Sequence, residues 1–503
     1  MRSKKAALNT TIALIEELVS IICGLILPRL ILQTFGSSYN GITTSITQFL
    51  RCAVLLRAGI GGATRAALYK PLAKKNKEEI DSIIRATDIF MKKVALILAG
   101  IILAFACIYP LFVINEFEWL FSASLVVIIG ISTFAESYFG ITYQILLQAD
   151  QRSYVFSVVK IGVAVFNTII AALLMHHGAP IHVVQLGNAT AYALLPIIIN
   201  LYVTRHYGIN KRAKPNMVAI SQRWDSFMHQ VSAFVMNNTD VMVLTVFADI
   251  KEVSVYTVYN LVATALNRAI TSVTSGIEAA FGNIIAKNEE TSLRRSFDVV
   301  ETGVCAISSV IYTSALLLIL DFVKLYTKGI TDIEYIRPLF AVIFITGGFF
   351  NCVRLPYQMV VQAAGHYKQT KRGAAIEAGL NIVISVLAVS RFGLVGVAAG
   401  TFAATVFRTI QYSMYSSKNI LKRSMLNSFV RISTFILAGV LTILVVNLLV
   451  KVSVDSFAGF IIKGVLVFMI SCITQALMTV VIYPKTVKDA ISIGKNIIAN
   501  RRR

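Results

Sequence analysis

Five arginines, Arg29, Arg51, Arg57, Arg268 and Arg354, each lie well inside a long apolar stretch of the chain. A cation at bilayer depth costs about 2.5–3.5 kcal/mol even on the lenient insertion scale, so such residues face a water-filled cavity or a partner. A guanidinium is a rigid fork of N–H donors that holds phosphate or carboxylate bidentately, where a lysine acts as a point charge. Together these arginines describe a wet, positive interior suited to an anionic cargo, a diphosphate above all.

A second constellation is rich in oxygen. Glu377 and Asn381 are one helical turn apart and share a face. Thr401 and Thr405 on the following segment, and Asp240 after Asn237 and Asn238, add hydroxyl, carboxylate and amide oxygens. Such a set suits a hard cation. Asp240, Glu377, Asn381 and Thr401 are therefore the candidate cation-coupling residues, for Na+ or for a proton carried by Glu377. The alternative is a structural polar cluster that bridges helices. No catalytic set, metal centre or cofactor motif accompanies them. The HHGAPIH segment (His176, His177, His182) lacks a carboxylate partner and ordered spacing, and reads as a surface cluster. Gly59, Gly61 and Gly62 lack the GKS or GKT ending of a phosphate loop and suit close helix packing. With no ATP motif, transport would draw on an ion gradient or the membrane potential.

The elements that must position these residues are membrane spans. The chain is 56% hydrophobic and 14% charged, against roughly 25% charged in a soluble domain. The net charge of +22 does not imply nucleic acid, because the basic residues sit in short loops on alternate connections. The six cysteines fall within apolar segments without CxxC spacing, which excludes a disulfide framework and a zinc site. At about 20 apolar residues per span, the sequence predicts about 14 helices, near 10–34, 39–65, 92–114, 119–146, 154–176, 181–204, 224–247, 254–281, 300–323, 337–363, 373–391, 394–415, 430–450 and 457–483. The excess of Lys and Arg at both termini and in the loops 66–91, 147–153, 205–223, 282–299, 364–372 and 416–431 puts those parts in the cytoplasm. The connections on the other side are short, leaving no external domain to carry chemistry. The basic tail KTVKDAISIGKNIIANRRR is amphipathic; it lies on the anionic cytoplasmic leaflet or is a plain charged terminus.

The chain repeats itself. QADQRSYVFSVVKIGVAVFNTIIAALL matches VVQAAGHYKQTKRGAAIEAGLNIVISVLAV, and Gln148–Gln362 and Asn167–Asn381 share one offset (362 − 148 and 381 − 167 both give 214). A repeat of six helices returns to its starting side, which predicts two six-helix lobes in parallel orientation about the membrane normal. The expected division is 1–212 for the first lobe, 213–421 for the second, and 422–503 for a C-terminal helix pair with a basic tail.

The segment LRAGIGGATRAALYKPLAKKNKEEI and the short loop QADQRSY resemble signatures of bacterial polysaccharide flippases. The resemblance extends over the whole chain in topology, six plus six helices and an added pair. It implies the multidrug/oligosaccharidyl-lipid/polysaccharide exporter superfamily, and within it the Wzx-like O-antigen or capsule repeat-unit flippases. The implied cargo is a polyprenyl-diphosphate-linked oligosaccharide carried to the outer leaflet of the bacterial plasma membrane. The implied partners are membrane lipids and the polymerase and glycosyltransferases of the same pathway. Lipid II flippases, distant relatives, place a sodium site between the helices corresponding to the eleventh and twelfth. Their order is amide then carboxylate, and this chain reverses it.

Read as one helix, 39–65 would place Arg51 roughly 18 Å along the span and bring Arg51 and Arg65 within about 40° of one face. Pro28 beside Arg29, and Pro356 beside Arg354, predict bent or broken helices. Lining a cavity is the favoured role for Arg51, Arg57 and Arg268. Arg29 and Arg354 are balanced between that role and pairing with a helix-borne acid. Arg65, Arg408, Lys160 and Lys463, nearer an interface, are expected to snorkel. A cation-coupled multidrug antiporter is the alternative function, and a membrane polysaccharide polymerase or ligase a more distant one. A cavity for cationic drugs should be acidic and aromatic; an enzyme would need a catalytic loop outside the bilayer.

Overall fold

The computed structural model describes residues 2–55, 60–210, 212–219, 227–274 and 277–501. Within them the chain is helical and contains no strand. In chain order the helices are α1 (Arg2–Phe35), α2 (Ser37–Val54), α3 (Ile60–Lys74), α4 (Lys77–Ile108), the single turn α5 (Pro110–Val113), α6 (Trp119–Ala135), α7 (Ile141–Ala149), α8 (Ser153–His176), α9 (Ile181–Tyr207) and α10 (Phe227–Phe247). They continue with α11 (Ile250–Thr274), α12 (Ile277–Ala286), α13 (Glu290–Tyr326), α14 (Pro338–Val353), α15 (Leu355–Ala363), α16 (Tyr367–Asn419), α17 (Leu426–Leu449), α18 (Phe457–Ile482) and α19 (Pro484–Arg501). Ten helices among the described residues are long and apolar enough to cross a membrane. One of these, α16, is broken at Gly393 and supplies two of the expected spans. The expected spans 39–65, 224–247 and 254–281 fall on α2, α10 and α11, which carry the polar residues and lie outside those ten.

Local chemistry sets the boundaries. Asn76 caps α4 by accepting from the Glu79 backbone N–H at 3.3 Å, while Glu78 and Glu79 place negative charge on the first turn. Gly208 ends α9 in the left-handed region, and Ser456 caps α18 through the Gly459 N–H at 3.2 Å. At 37 residues, α13 is about 55 Å long and overshoots a hydrocarbon core of about 30 Å. It starts in the charged run Arg294, Arg295 and Asp298. Helix α1 continues through Pro28.

Contacts divide the chain into two compact units. The first holds Met1–Thr257 and the short stretch Gly329–Ile333; the second holds Val258–Lys328 and Glu334–Arg503. The sequence division at 212/213 marks where the repeat begins; the contact division falls later.

Inside the first unit, Asp332 of the Gly329–Ile333 stretch accepts from the Ser37 backbone N–H and hydroxyl, both at 2.7 Å, and so caps α2. Polar pairs then join α2 to α10 and the start of α11: Asn40 to Ser254 at 2.7 Å, Ser45 with Thr245 at 2.8 Å, and Gln48 to Asn238 at 2.5 Å. Gly41 lets α2 approach this closely, since a Cβ there would lie 2.1 Å from the Ile250 carbonyl oxygen.

Within the second unit, α16 is a hairpin. Gly393 (φ 52°, ψ −129°) makes the turn in a conformation that L side chains avoid. Its two arms meet through small residues: a Cβ on Gly400 would lie 2.2 Å from the Ser385 hydroxyl and 2.9 Å from the Asn381 carbonyl oxygen. The last helices pack on α13, where the Arg423 and Arg431 guanidiniums meet Asp298 and the fully buried Glu301. Tyr357 donates to Glu301 at 2.5 Å, and Arg295 of α13 pairs with Asp489 of α19 at 2.6 Å.

A helix is interrupted in each unit. A π-helical turn, Glu136–Gly140, separates α6 from α7. Positions 350–354, 214 residues on, end at Arg354, where α14 gives way to α15 ahead of Pro356. The break expected beside Pro356 is present.

Gly400→Ala should lower the stability of the purified protein by about 1–3 kcal/mol, the usual cost of forcing a methyl into a filled contact. Gly379→Ala on the same helix meets nothing within 4 Å and should be neutral or slightly stabilising. Thermal unfolding in detergent compares them; equal melting temperatures would contradict the hairpin packing.

Candidate anion-binding site

The first unit carries Arg29, Arg51 and Asp240. Arg29 on α1 is half-buried, and Arg51 in the last turn of α2 is exposed. Arg57 lies outside the described residues. Of the single helix expected over 39–65, Arg51 lies on α2 and Arg65 on α3, and residues 56–59 between them lie outside the described residues. Arg65 donates to the Gln148 side-chain oxygen at 2.9 Å. Asp240 is buried on α10 and accepts from the Tyr256 hydroxyl at 3.0 Å, next to the polar pairs that join α10 to α2.

The second unit brings three charged side chains together. Arg354 stands at the α14–α15 break, Glu377 on the first arm of α16 and Arg408 on the second. Glu377 divides its oxygens: Oε1 lies 2.6 Å from Arg354 Nη1, and Oε2 lies 3.3 Å from Arg408 Nε. Arg408 is also held by the Thr370 carbonyl at 3.1 Å, the Tyr412 hydroxyl at 2.8 Å and the Gln411 side-chain oxygen, with its guanidinium 4.0 Å from the Tyr412 ring centroid. Arg354 is held less completely, for its Nε is buried without a partner. The Arg354 side chain is 18% exposed, against 6% for Glu377 and 5% for Arg408. Two guanidiniums against one carboxylate leave one positive charge in excess.

Arg268 is exposed on α11. Its neighbour Asn267 accepts from Asn351 and Cys352 of α14, both at 3.1 Å, which pins the helix of Arg268 beside that of Arg354. Asn381 and Thr401 also meet, with the amide donating to the hydroxyl at 2.8 Å. The four cation-coupling candidates thus divide: Glu377, Asn381 and Thr401 are in the second unit and Asp240 in the first. In this arrangement the Glu377 carboxylate serves as a counter-ion to arginine, with both oxygens so engaged. Among the described residues, no group of three or more His, Cys, Asp or Glu could hold a metal ion.

Each of the cations expected to snorkel has a side-chain partner on another helix or helix arm. Lys160 pairs with Glu16 at 2.5 Å and Lys463 with Asp321 at 2.6 Å. Arg65 finds an amide and Arg408 a carboxylate. Sequence reading missed Arg408 as part of the site, although one signal pointed to it. Glu377 and Arg408 are almost equidistant from the turn at Gly393 (393 − 377 is 16; 408 − 393 is 15), so an antiparallel hairpin sets them level.

An apolar groove of about 430 Å³ runs between α13 and α18, lined by residues such as Ile307, Val310, Phe468, Ala476 and Val480. Ile307 also lines a smaller cavity of about 130 Å³ with Ile270 and Thr274 of α11.

Compared with solved structures, the chain is similar to the lipid II flippase MurJ in an inward closed conformation, with a TM-score of 0.71 and 14% identity over 96% of this chain and 100% of that one. It is also similar to an inward-facing multidrug-resistance MATE transporter of the MOP superfamily (TM-score 0.60, 12% identity, 86% of this chain and 98% of that one). A Vibrio cholerae MATE transporter matches with a TM-score of 0.57 and 13% identity, over 84% of this chain and 99% of that one. The fold is that of MurJ and the MATE transporters. No family model and no curated protein matches the chain by sequence. At these identities the likeness establishes a polytopic helical fold.

Breaking a buried ion pair from one side costs about 3–5 kcal/mol. Glu301→Gln should therefore lower thermal stability, because it leaves the single carboxylate of Asp298 to serve both Arg423 and Arg431 where they meet α13. Melting of the purified variant unchanged from wild type would refute a holding role for that cluster.

Proposed function

We propose that the protein is a flippase for a polyprenyl-diphosphate-linked oligosaccharide repeat unit, moving it from the cytoplasmic to the outer leaflet of the bacterial plasma membrane by alternating access. Both termini are cytoplasmic in this reading, and the product serves capsule, O-antigen or exopolysaccharide synthesis. The observation that carries the proposal is the excess of guanidinium over carboxylate at Arg354, Glu377 and Arg408. A positive centre within membrane-spanning helices attracts an anionic head group and repels the cationic compounds an acidic drug-export cavity would favour. Arg29, Arg51, Arg57 and Arg268 are proposed to act with Arg354 on the diphosphate. The apolar groove on α13 and α18 suits the lipid chain. Glycosyltransferases that build the cargo and a polymerase that consumes it are the implied partners.

Asp240, Glu377, Asn381 and Thr401 remain the proposed coupling residues, with Na+ or H+ as the driving ion. Coupling requires that the ion bind one conformational state better than the other. Support for a role in the second unit is the Asn381–Thr401 contact one turn beyond Glu377, where the Asn381 side-chain oxygen is buried without a partner.

Lysine keeps the charge but loses the fork, so Arg354→Lys should slow export and Arg354→Ala slow it further. Arg51→Ala and Arg268→Ala should each act in the same direction. The measurement is lipid-linked glycan retained on the cytoplasmic leaflet of cells that depend on the variant. Normal export by all the alanine variants would overturn the cargo assignment, and cation-driven drug efflux by the wild-type protein would favour the multidrug alternative.

A further inference from the structure

We infer that Glu377 is an exchangeable counter-ion, which neutralises Arg354 in the empty protein and yields it to the diphosphate of the cargo while Arg408 retains the carboxylate. The inference rests on the diphosphate cargo proposed above and assigns a different task to each member of the cluster.

Geometry separates the tasks. Glu377 meets each arginine with a different oxygen, so losing Arg354 leaves the bond from Oε2 to Arg408 in place. Arg408 cannot readily leave, because Thr370, Gln411 and Tyr412 hold it from other directions. Arg354 has one carboxylate oxygen and an unpartnered Nε, and is the most exposed of the three.

Charge favours the exchange as well. With Arg354 bound to the cargo, Glu377 and Arg408 remain as a neutral buried pair. Without Glu377, an empty cavity would hold two uncompensated guanidiniums, which is costly at low dielectric. The competing carboxylate also weakens the grip on the diphosphate, so the cargo can leave on the far side as Glu377 returns. Arg408 is thus a positioning residue that acts through Glu377 and does not touch the cargo.

Binding of inorganic pyrophosphate to the purified full-length protein in detergent tests this. Glu377→Gln should bind about tenfold more tightly than wild type, equivalent to about 1.4 kcal/mol of removed competition. Arg408→Gln should bind more weakly, because Glu377 can then give both oxygens to Arg354. A purely structural role would weaken binding in both variants. On an Arg354→Gln background, Glu377→Gln should change binding by less than about twofold, since the exchange partner is gone. If Glu377→Gln does not fold, Glu377→Asp keeps the charge with one methylene less reach and should shift binding in the same direction. No gain in either Glu377 variant, or a gain that persists without Arg354, would overturn the exchange. If Arg354→Gln binds pyrophosphate as tightly as wild type, that result overturns the exchange alone; pyrophosphate binding by no form would overturn the cargo reading too.

Discussion

A charge inside a bilayer must find water, an opposite charge or a ligand, because the hydrocarbon offers none of these. That requirement organises the packing of both units. Lys160 on α8 draws Glu16 of α1, and Lys463 on α18 draws Asp321 of α13. Arg423 and Arg431 hold the C-terminal helices to α13 through Glu301 and Asp298. Such pairs add little net stability by themselves, yet each is costly to break from one side, so they fix which helices are neighbours. At Arg354 the acids run short. One carboxylate serves two guanidiniums there, and the remaining charge is what an anionic cargo could use.

The sequence offset of 214 pairs a residue of this site with one in the first unit. Arg354 in the second unit corresponds at offset 214 to Gly140 in the first. Each residue stands at the interruption of a helix. In the first unit the position is filled by packing, since a Cβ on Gly140 would lie 2.5 Å from Pro196 Cβ. In the second it carries a guanidinium that meets Glu377. A backbone irregularity thus holds a close helix contact in one unit and a charge in the other. Helix interruptions leave backbone groups unsatisfied, and proteins tolerate them in membranes only where neighbouring protein or water compensates.

Much of the fold was legible because its signals are local. Apolar run length located the spans, Pro356 marked the break beside Arg354, and the two-residue connection at 392–393 marked the hairpin. The site was less legible because it is built from long-range pairs. Glu377 and Arg408 are brought together by the turn at Gly393, and Lys463 and Asp321 belong to helices far apart in sequence. Snorkelling is the natural expectation for a cation near a span end, and the partners that a facing helix supplies, such as Glu16 for Lys160, are not visible in the local sequence.

The central claim is that positive charge in the helical interior selects a diphosphate-bearing lipid. Its most direct test is leaflet exchange by the purified protein in liposomes, comparing one glycan linked to the same prenyl chain through a diphosphate and through a neutral linker. Rapid protein-dependent exchange of the diphosphate form, with the neutral form left near the rate of empty liposomes, is the result the account predicts. Equal exchange of both would show that the lipid and the sugar are read without the charge, and would contradict it.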